Sequence, residues 1–419
     1  MKLTVDKTTL YRLWLDRIVK THLDARWDAP STEESEAEDD WFHDQWLQLA
    51  DDQRRRLCGL SADLHSLRDQ EKLTAPDGPP RTEQQLASET QQALLHRDWD
   101  RVLSLLRVPP RFQPQAVVDY LRGRAWMGSG EPQVALLFFD NAARRDPSNL
   151  AYPSLALECL NAIPDWQEAL ARAERYRASE TVPPRLLFRA GEVFRSWALM
   201  SDQPSYFEQA VEVVERGFAL LDQSAAKESL PSVIAGAYAT KALALGHLGR
   251  HRAALTAMDQ AIARFPDNAT LLTLRGLLKQ QLQRTDARED LKAAIEQGTG
   301  LVWPYLELAR LELEQRNFPE VLELCRQGLA RAGNDRIAAE FFQFRGIALF
   351  ELGESLEEVQ QAFDASLELD PLAAETQVNR ERFKASSRDG QAAGPWQVPA
   401  GSPLEAMQSI LQQQHGIAA

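Results

Sequence analysis

His247 and His251 stand four residues apart, the spacing at which two imidazoles on one helical face could share a metal ion. Gly246 and Gly249 fall among them and break the helical phase, and no third ligand is apparent. Solvated turn residues are therefore the plainer reading. Cys58, Cys159 and Cys325 are odd in number and far apart. They make no Cys-x-x-Cys pair and no disulfide framework, which fits a reducing compartment. Cys159 and Cys325 lie in apolar helical stripes and read as core. Glu33, Glu34, Glu36, Glu38, Asp39 and Asp40 crowd six carboxylates together without the regular alternation of a calcium loop. Such a charge run reads as a solvated face. The chain contains no Gly-x-x-x-x-Gly-Lys-Ser/Thr loop, no Gly-x-Ser-x-Gly elbow and no His-Glu-x-x-His pair. No catalytic residue, metal site or cofactor is expected, and the chain does not read as an enzyme.

The elements that would position any side chains are helical and repeated. Residues 116–149 form two amphipathic helices joined by a glycine turn and closed by Pro147. Gly123 lets a second helix approach closely, Gly130 ends the first helix, and Ala135, Phe139 and Ala142 make a small-large-small stripe. This stretch resembles a tetratricopeptide repeat, a helix-turn-helix unit of about 34 residues. Comparable small residues recur at Val102, Ala135, Ala169, Ala210, Ala254, Ala287, Val321 and Val359. The steps between them are 33, 34, 41, 44, 33, 34 and 38 residues, so longer turns or helices account for the long steps. Leu121-Arg122-Gly123, Leu274-Arg275-Gly276 and Phe344-Arg345-Gly346 occupy one place in their units. Ala254, Gly276 and Gly346 are thus packing positions like Gly123. The units at Val102, Ala169 and Ala210 are degenerate. The resemblance implies an all-α, tetratricopeptide-type solenoid of helical hairpins wound as a right-handed superhelix.

Bulk composition is consistent with this. The chain has 419 residues with 44% apolar content, which excludes global disorder. A solenoid reaches that length by adding units. A net charge of −14 argues against a general nucleic-acid binder. No apolar run approaches the ~20 residues of a membrane span, and Asp6, Lys7, Arg12, Asp16 and Arg17 interrupt the N-terminal region as no secretory signal would allow. A cytoplasmic location is expected, with neither a nucleic-acid nor a membrane partner.

In chain order, residues 1–26 carry an amphipathic helix with Leu10, Trp14 and Ile18 on one face. Residues 27–40 read as an acidic linker. Residues 41–72 read as a helical segment with Trp41, Phe42, Trp46 and Leu49, then Leu57, Leu60, Leu64 and Leu67. Those leucines suit either a short coiled-coil seam or, better, a helical hairpin packed on the first repeat, and Gly59 could divide the segment. Residues 73–82 form a Pro-rich linker, and residues 83–386 hold seven or eight repeats and a closing helix. Residues 387–401 read as a flexible linker. Residues 402–416 form a short amphipathic helix, capped by Ser402 and Glu405, with Leu404, Met407, Ile410 and Leu411 on one face. That helix is expected to fray or to dock, either on a partner or within this chain's own groove.

In the resembling fold each first helix lines a concave groove. The groove positions here are Tyr120, Arg124 and Met127, then Thr273, Leu277 and Gln280, then Trp303, Leu306 and Arg310, then Gln343, Ile347 and Phe350. These depart from the Lys/Asn clamp by which some tetratricopeptide adaptors hold a C-terminal carboxylate. Mixed aromatic, aliphatic and Arg anchors suit an amphipathic helix or an extended peptide. The expected function is a non-catalytic scaffold or adaptor that binds a peptide or protein. The alternative is an accessory or regulatory subunit acting through its N-terminal 80 residues.

Overall fold

The computed structural model describes residues 7–23, 45–68, 82–107, 114–163, 166–223, 231–389 and 395–399. Among these the regular structure is helical and no strand occurs. The chain forms two compact units, Met1–Arg172 and Ala173–Ala419.

The first unit begins with α1 (Lys7–Leu23) and α2 (Asp51–Arg68). It continues with α3 (Glu83–Leu95), α4 (Trp99–Leu106), α5 (Gln115–Gly128), α6 (Pro132–Arg145) and α7 (Ala151–Ala162). The boundary between the units falls within α8 (Trp166–Ala178). Helices α3 and α4 pack as one hairpin and α5 and α6 as the next. Gln45 and Trp46 are helical, but the chain turns at Leu47 and Gln48 before α2. Trp46 meets Trp14 edge-on at 4.8 Å. Leu57, Leu60 and Leu64 of α2 are buried in this unit's own core, together with Leu10 and Leu15 of α1. They therefore serve internal packing, not a coiled-coil seam. Gly59 lies inside α2, which runs unbroken past it, and faces the Arg107 guanidinium.

The second unit is a stack of hairpins. The pairs are α9 (Pro184–Ser201) with α10 (Ser205–Gln223), α11 (Pro231–His247) with α12 (His251–Arg264), and α13 (Ala269–Gln281) with α14 (Ala287–Glu296). Then come α15 (Trp303–Glu314) with α16 (Phe318–Leu329), α17 (Asp335–Leu352) with α18 (Leu356–Leu369), and the single α19 (Ala374–Asp389). Each first helix also touches the first helix of the next pair, from α9 through α19. One hairpin cannot cover its own apolar stripe, and stacking does so. This is an all-α stack of helical hairpins, the arrangement that the resemblance to tetratricopeptide repeats implies.

Small residues let the paired helices approach. A Cβ added at Gly123 would lie 2.7 Å from the Phe139 ring, one at Gly276 2.9 Å from Leu291, and one at Gly346 3.1 Å from Phe363. Ala135, Phe139, Ala142 and Ala254 are fully buried, as are the other small residues that open the second helices, from Val102 to Val359. Turn chemistry recurs at one place. Gly130, Gly249 and Gly353 adopt φ of 82°, 72° and 74°, in the left-handed region that glycine tolerates best. Arg97, Asp202, Gln283 and Arg316 occupy the equivalent turns with φ between 52° and 58°. Helices α6, α12 and α18 each end one residue before an X-Pro pair, because the residue before proline disfavours helical geometry.

A candidate peptide-binding face

The face built by the first helices of the second unit carries most of the groove positions expected from sequence. Thr273 and Leu277 of α13, Leu306 of α15 and Ile347 of α17 are fully buried between helices. Thr273 donates its hydroxyl to the Ala269 carbonyl at 2.8 Å. Helical phase turns these four inward, so they are packing residues and cannot line a surface. Gln280 is half-buried and donates to Glu307 across to α15 at 2.8 Å. Trp303 packs partly buried against the core of this unit.

Arg310, Gln343 and Phe350 behave differently. They converge with α19 on a short segment outside regular structure, residues 395–399, of sequence Pro-Trp-Gln-Val-Pro. Asn379 of α19 reads the backbone of Gln397 twice. Its Nδ2 donates to the Gln397 carbonyl at 2.6 Å, and its Oδ1 accepts from the Gln397 N–H at 2.8 Å. Gln343 Nε2 donates to the same carbonyl at 3.0 Å. Arg310 Nη1 donates to the Pro399 carbonyl. Its other nitrogens bind Glu307 at 3.2 Å and Glu340 at 3.1 Å, which aim the guanidinium. Burial pushes the Glu340 carboxyl above its usual range, against the pull of Arg310. Arg310 and Gln343 are only 4% and 1% exposed. They were expected on an open groove, and the segment and neighbouring helices cover them.

Trp396 supplies the side-chain anchor. Phe350 meets its ring edge-on at 5.3 Å and Phe363 stacks at 6.1 Å. The Arg382 guanidinium lies 3.9 Å from the ring centroid, a close cation–π contact. The indole N–H donates to Glu351 at 2.6 Å. Val398 packs on the same core, whereas the Gln397 side chain points to solvent. Residues 395–399 lie in the stretch 387–401 that reads from the sequence as a flexible linker, and here they contact α15, α17, α18 and α19. The amphipathic segment 402–416 and the acidic run of residues 33–40 lie outside the described residues.

Asn379, Glu351 and Arg382 were not singled out from the sequence. Asn379 sits on a helix whose composition reads as a polar end face. The Trp in a Gly/Pro-rich tail was the one available signal for the docked segment.

The remaining groove positions are in the first unit. Tyr120 of α5 is half-buried between Phe139 at 6.2 Å and Tyr152 at 5.5 Å. Arg124 is exposed, donates to the Tyr120 hydroxyl at 3.0 Å, and lies 5.9 Å from its ring centroid. Met127 is partly buried against the core.

The other chemistry-bearing residues are dispersed. His247 ends α11 and stacks on Phe207 at 4.8 Å, while His251 opens α12. No group of three metal-ligating side chains converges among the described residues. Cys159 and Cys325 are buried, and burial pushes both thiols well above their usual range; Cys58 is exposed. Among the described residues no helix is long and apolar enough to cross a membrane.

No family model matches this chain, and no curated protein matches it. Among solved structures it is similar to a chain of the "APC/C hetero-tetramer Cut9-Hcn1", at 15% identity and a TM-score of 0.44, over 96% of this chain and 69% of that one. It is also similar to "Human IFIT1 dimer with m7Gppp-AAAA", at 13% identity and a TM-score of 0.35, over 76% of this chain and 71% of that one.

Proposed function

We propose that this protein is a non-catalytic interaction scaffold that binds a protein partner through an extended segment laid on the first-helix face of its repeats. One observation carries the reading: Asn379, Gln343 and Arg310 already hydrogen-bond the backbone of a non-helical segment. Main-chain hydrogen bonds give a bound peptide affinity and a pocket for a side-chain anchor gives it specificity. The N-terminal helices give less support to an effector role. They bury Leu10, Leu15, Leu57, Leu60 and Leu64 within their own unit, leaving Leu13 and Leu47 as their exposed large apolar residues among those described.

The test uses full-length protein and a partner captured by affinity purification and then validated with purified components. Tyr120→Ala, Arg124→Ala, Phe350→Ala and Asn379→Ala are compared with wild type. A true anchor should weaken the partner by about 2 kcal/mol, roughly 30-fold, with the fold retained. Unchanged affinity in all four variants would reject the groove reading and shift attention to residues 1–80.

A further inference from the structure

The contacts of residues 395–399 describe a site, not only a tail. The bonds from Asn379 and Gln343 are to backbone atoms of Gln397, whose side chain is exposed, so any residue that keeps its backbone N–H, that is any but proline, fits that place. The position before it is selective. Trp396 is held by ring contacts with Phe350 and Phe363, by Arg382, and by its N–H to Glu351. Among natural side chains only Trp offers a large ring with a single N–H donor there. The position after it meets apolar core, where Val398 packs. Pro399 presents a carbonyl to Arg310 and needs no N–H partner.

We propose that this site takes an extended peptide of the form Trp-x-aliphatic-Pro from a partner protein, and that residues 396–399 are a built-in occupant which such a peptide displaces. The inference rests on the scaffold reading and deepens it by naming the ligand chemistry. Asn379 acts here as a peptide backbone does in an added strand, donating and accepting on one residue. The site holds the segment with the amides of Asn379 and Gln343, the guanidinium groups of Arg310 and Arg382, the rings of Phe350 and Phe363 and the Glu351 carboxylate, all of which an identical external segment could engage. Tethering keeps the internal copy at an effective concentration of roughly millimolar, so an external peptide competes against it at all times.

The experiment measures fluorescence anisotropy of a labelled synthetic peptide spanning residues 393–401, titrated with full-length protein. Trp396→Ala in the protein should vacate the site and tighten peptide binding at least tenfold over wild type. The ligand-side controls leave the protein untouched. A peptide with naphthylalanine in place of Trp lacks the N–H and should bind at least threefold more weakly. A peptide N-methylated at the Gln position cannot donate to Asn379 and should lose at least tenfold. Equal binding by wild type and Trp396→Ala, indifference to N-methylation, or no binding by either protein up to millimolar would overturn the proposal. Light scattering adds a separate arm. A wild-type dimer that becomes monomeric on Trp396→Ala would mean the segment comes from a second copy, and would overturn the internal version. Failure of the scaffold reading looks different. A validated partner indifferent to Phe350→Ala and Asn379→Ala, while the peptide still binds, would reject that reading and leave the site chemistry standing.

Discussion

The N-terminal helices of the first unit and the C-terminal segment of the second both pack onto the hairpins of their own unit, but with different chemistry. In the first unit, α2 is locked by buried charge. Arg107 makes a two-pronged contact with Asp63 at 3.0 and 2.9 Å, and Arg122 lies 3.8 Å from the same carboxylate. Arg122 also donates to the Leu106 carbonyl at 2.9 Å. Asp119 takes Arg145 at 3.0 Å and Asn141 at 2.8 Å, and burial still pushes its carboxyl above the usual range. In the second unit, residues 395–399 are held on their backbone by the amides of Asn379 and Gln343 and the Arg310 guanidinium, and at Trp396 by two rings, Arg382 and Glu351. A buried ionic network accepts only its own members, because an unmatched charge there is costly. A backbone-read segment is exchangeable, because every peptide offers the same groups. The first arrangement serves architecture and the second can serve recognition.

The sharpest way to break this contrast is to remove one charge. Asp63→Ala strips Arg107 of its two-pronged partner and takes from Arg122, which is 1% exposed, the nearer of its two carboxylates, Asp119 remaining at 4.0 Å. It should cost about 3–5 kcal/mol of stability in denaturant titrations. A loss below 1 kcal/mol would mean that α2 is as replaceable as the C-terminal segment.

Overpacking should come next. Gly123→Leu drives a side chain into Phe139, where even a Cβ would sit at 2.7 Å. It should cost about 1–3 kcal/mol, and Ala135→Leu a similar amount. Unchanged midpoints for both would refute the helix crossing.

Trp396→Ala should matter far less for folding, about 1 kcal/mol or less. The segment can open locally while the hairpin stack persists. A midpoint drop as large as that of Asp63→Ala would make the segment structural and end the comparison.

The smallest effect concerns a half-buried carboxylate. Asp286 is bonded by Lys279 and Arg284, and these hold its carboxyl at about 2, below the ordinary 3.8. A depressed folded value means that the pair stabilises above about pH 4 and that this is lost as pH falls through about 2. Asp286→Asn should therefore cost about 0.5 kcal/mol at pH 7, discounted for solvent screening. Wild-type and variant curves should converge at the acid end, and a constant gap would show that the pairing is not the cause.

Much of this was legible in the residues. The recurrence of small side chains from Val102 to Val359 marks second helices even in degenerate units, because close packing of a hairpin tolerates little else at that point. Groove membership was harder to read. Gln343 sits at a position that faces outward in the resembling fold, yet it is 1% exposed beneath residues 395–399. A helical period assigns a face, but not what later covers that face.

The sequence by itself determined the helices, their stops at Asp146-Pro147, Phe265-Pro266 and Asp370-Pro371, and the pairing of Gly123, Gly276 and Gly346 with a large residue on the next helix. Those features rest on local backbone preference and short-range periodicity. Only the tertiary structure decided that Arg310 meets Pro399 across 89 residues and that Gln343 meets Gln397 across 54. It also decided that Trp396 lies against side chains of α17, α18 and α19. No local pattern encodes such a site. It exists only once the stack has placed three helices side by side and left a non-helical segment close enough to bond them.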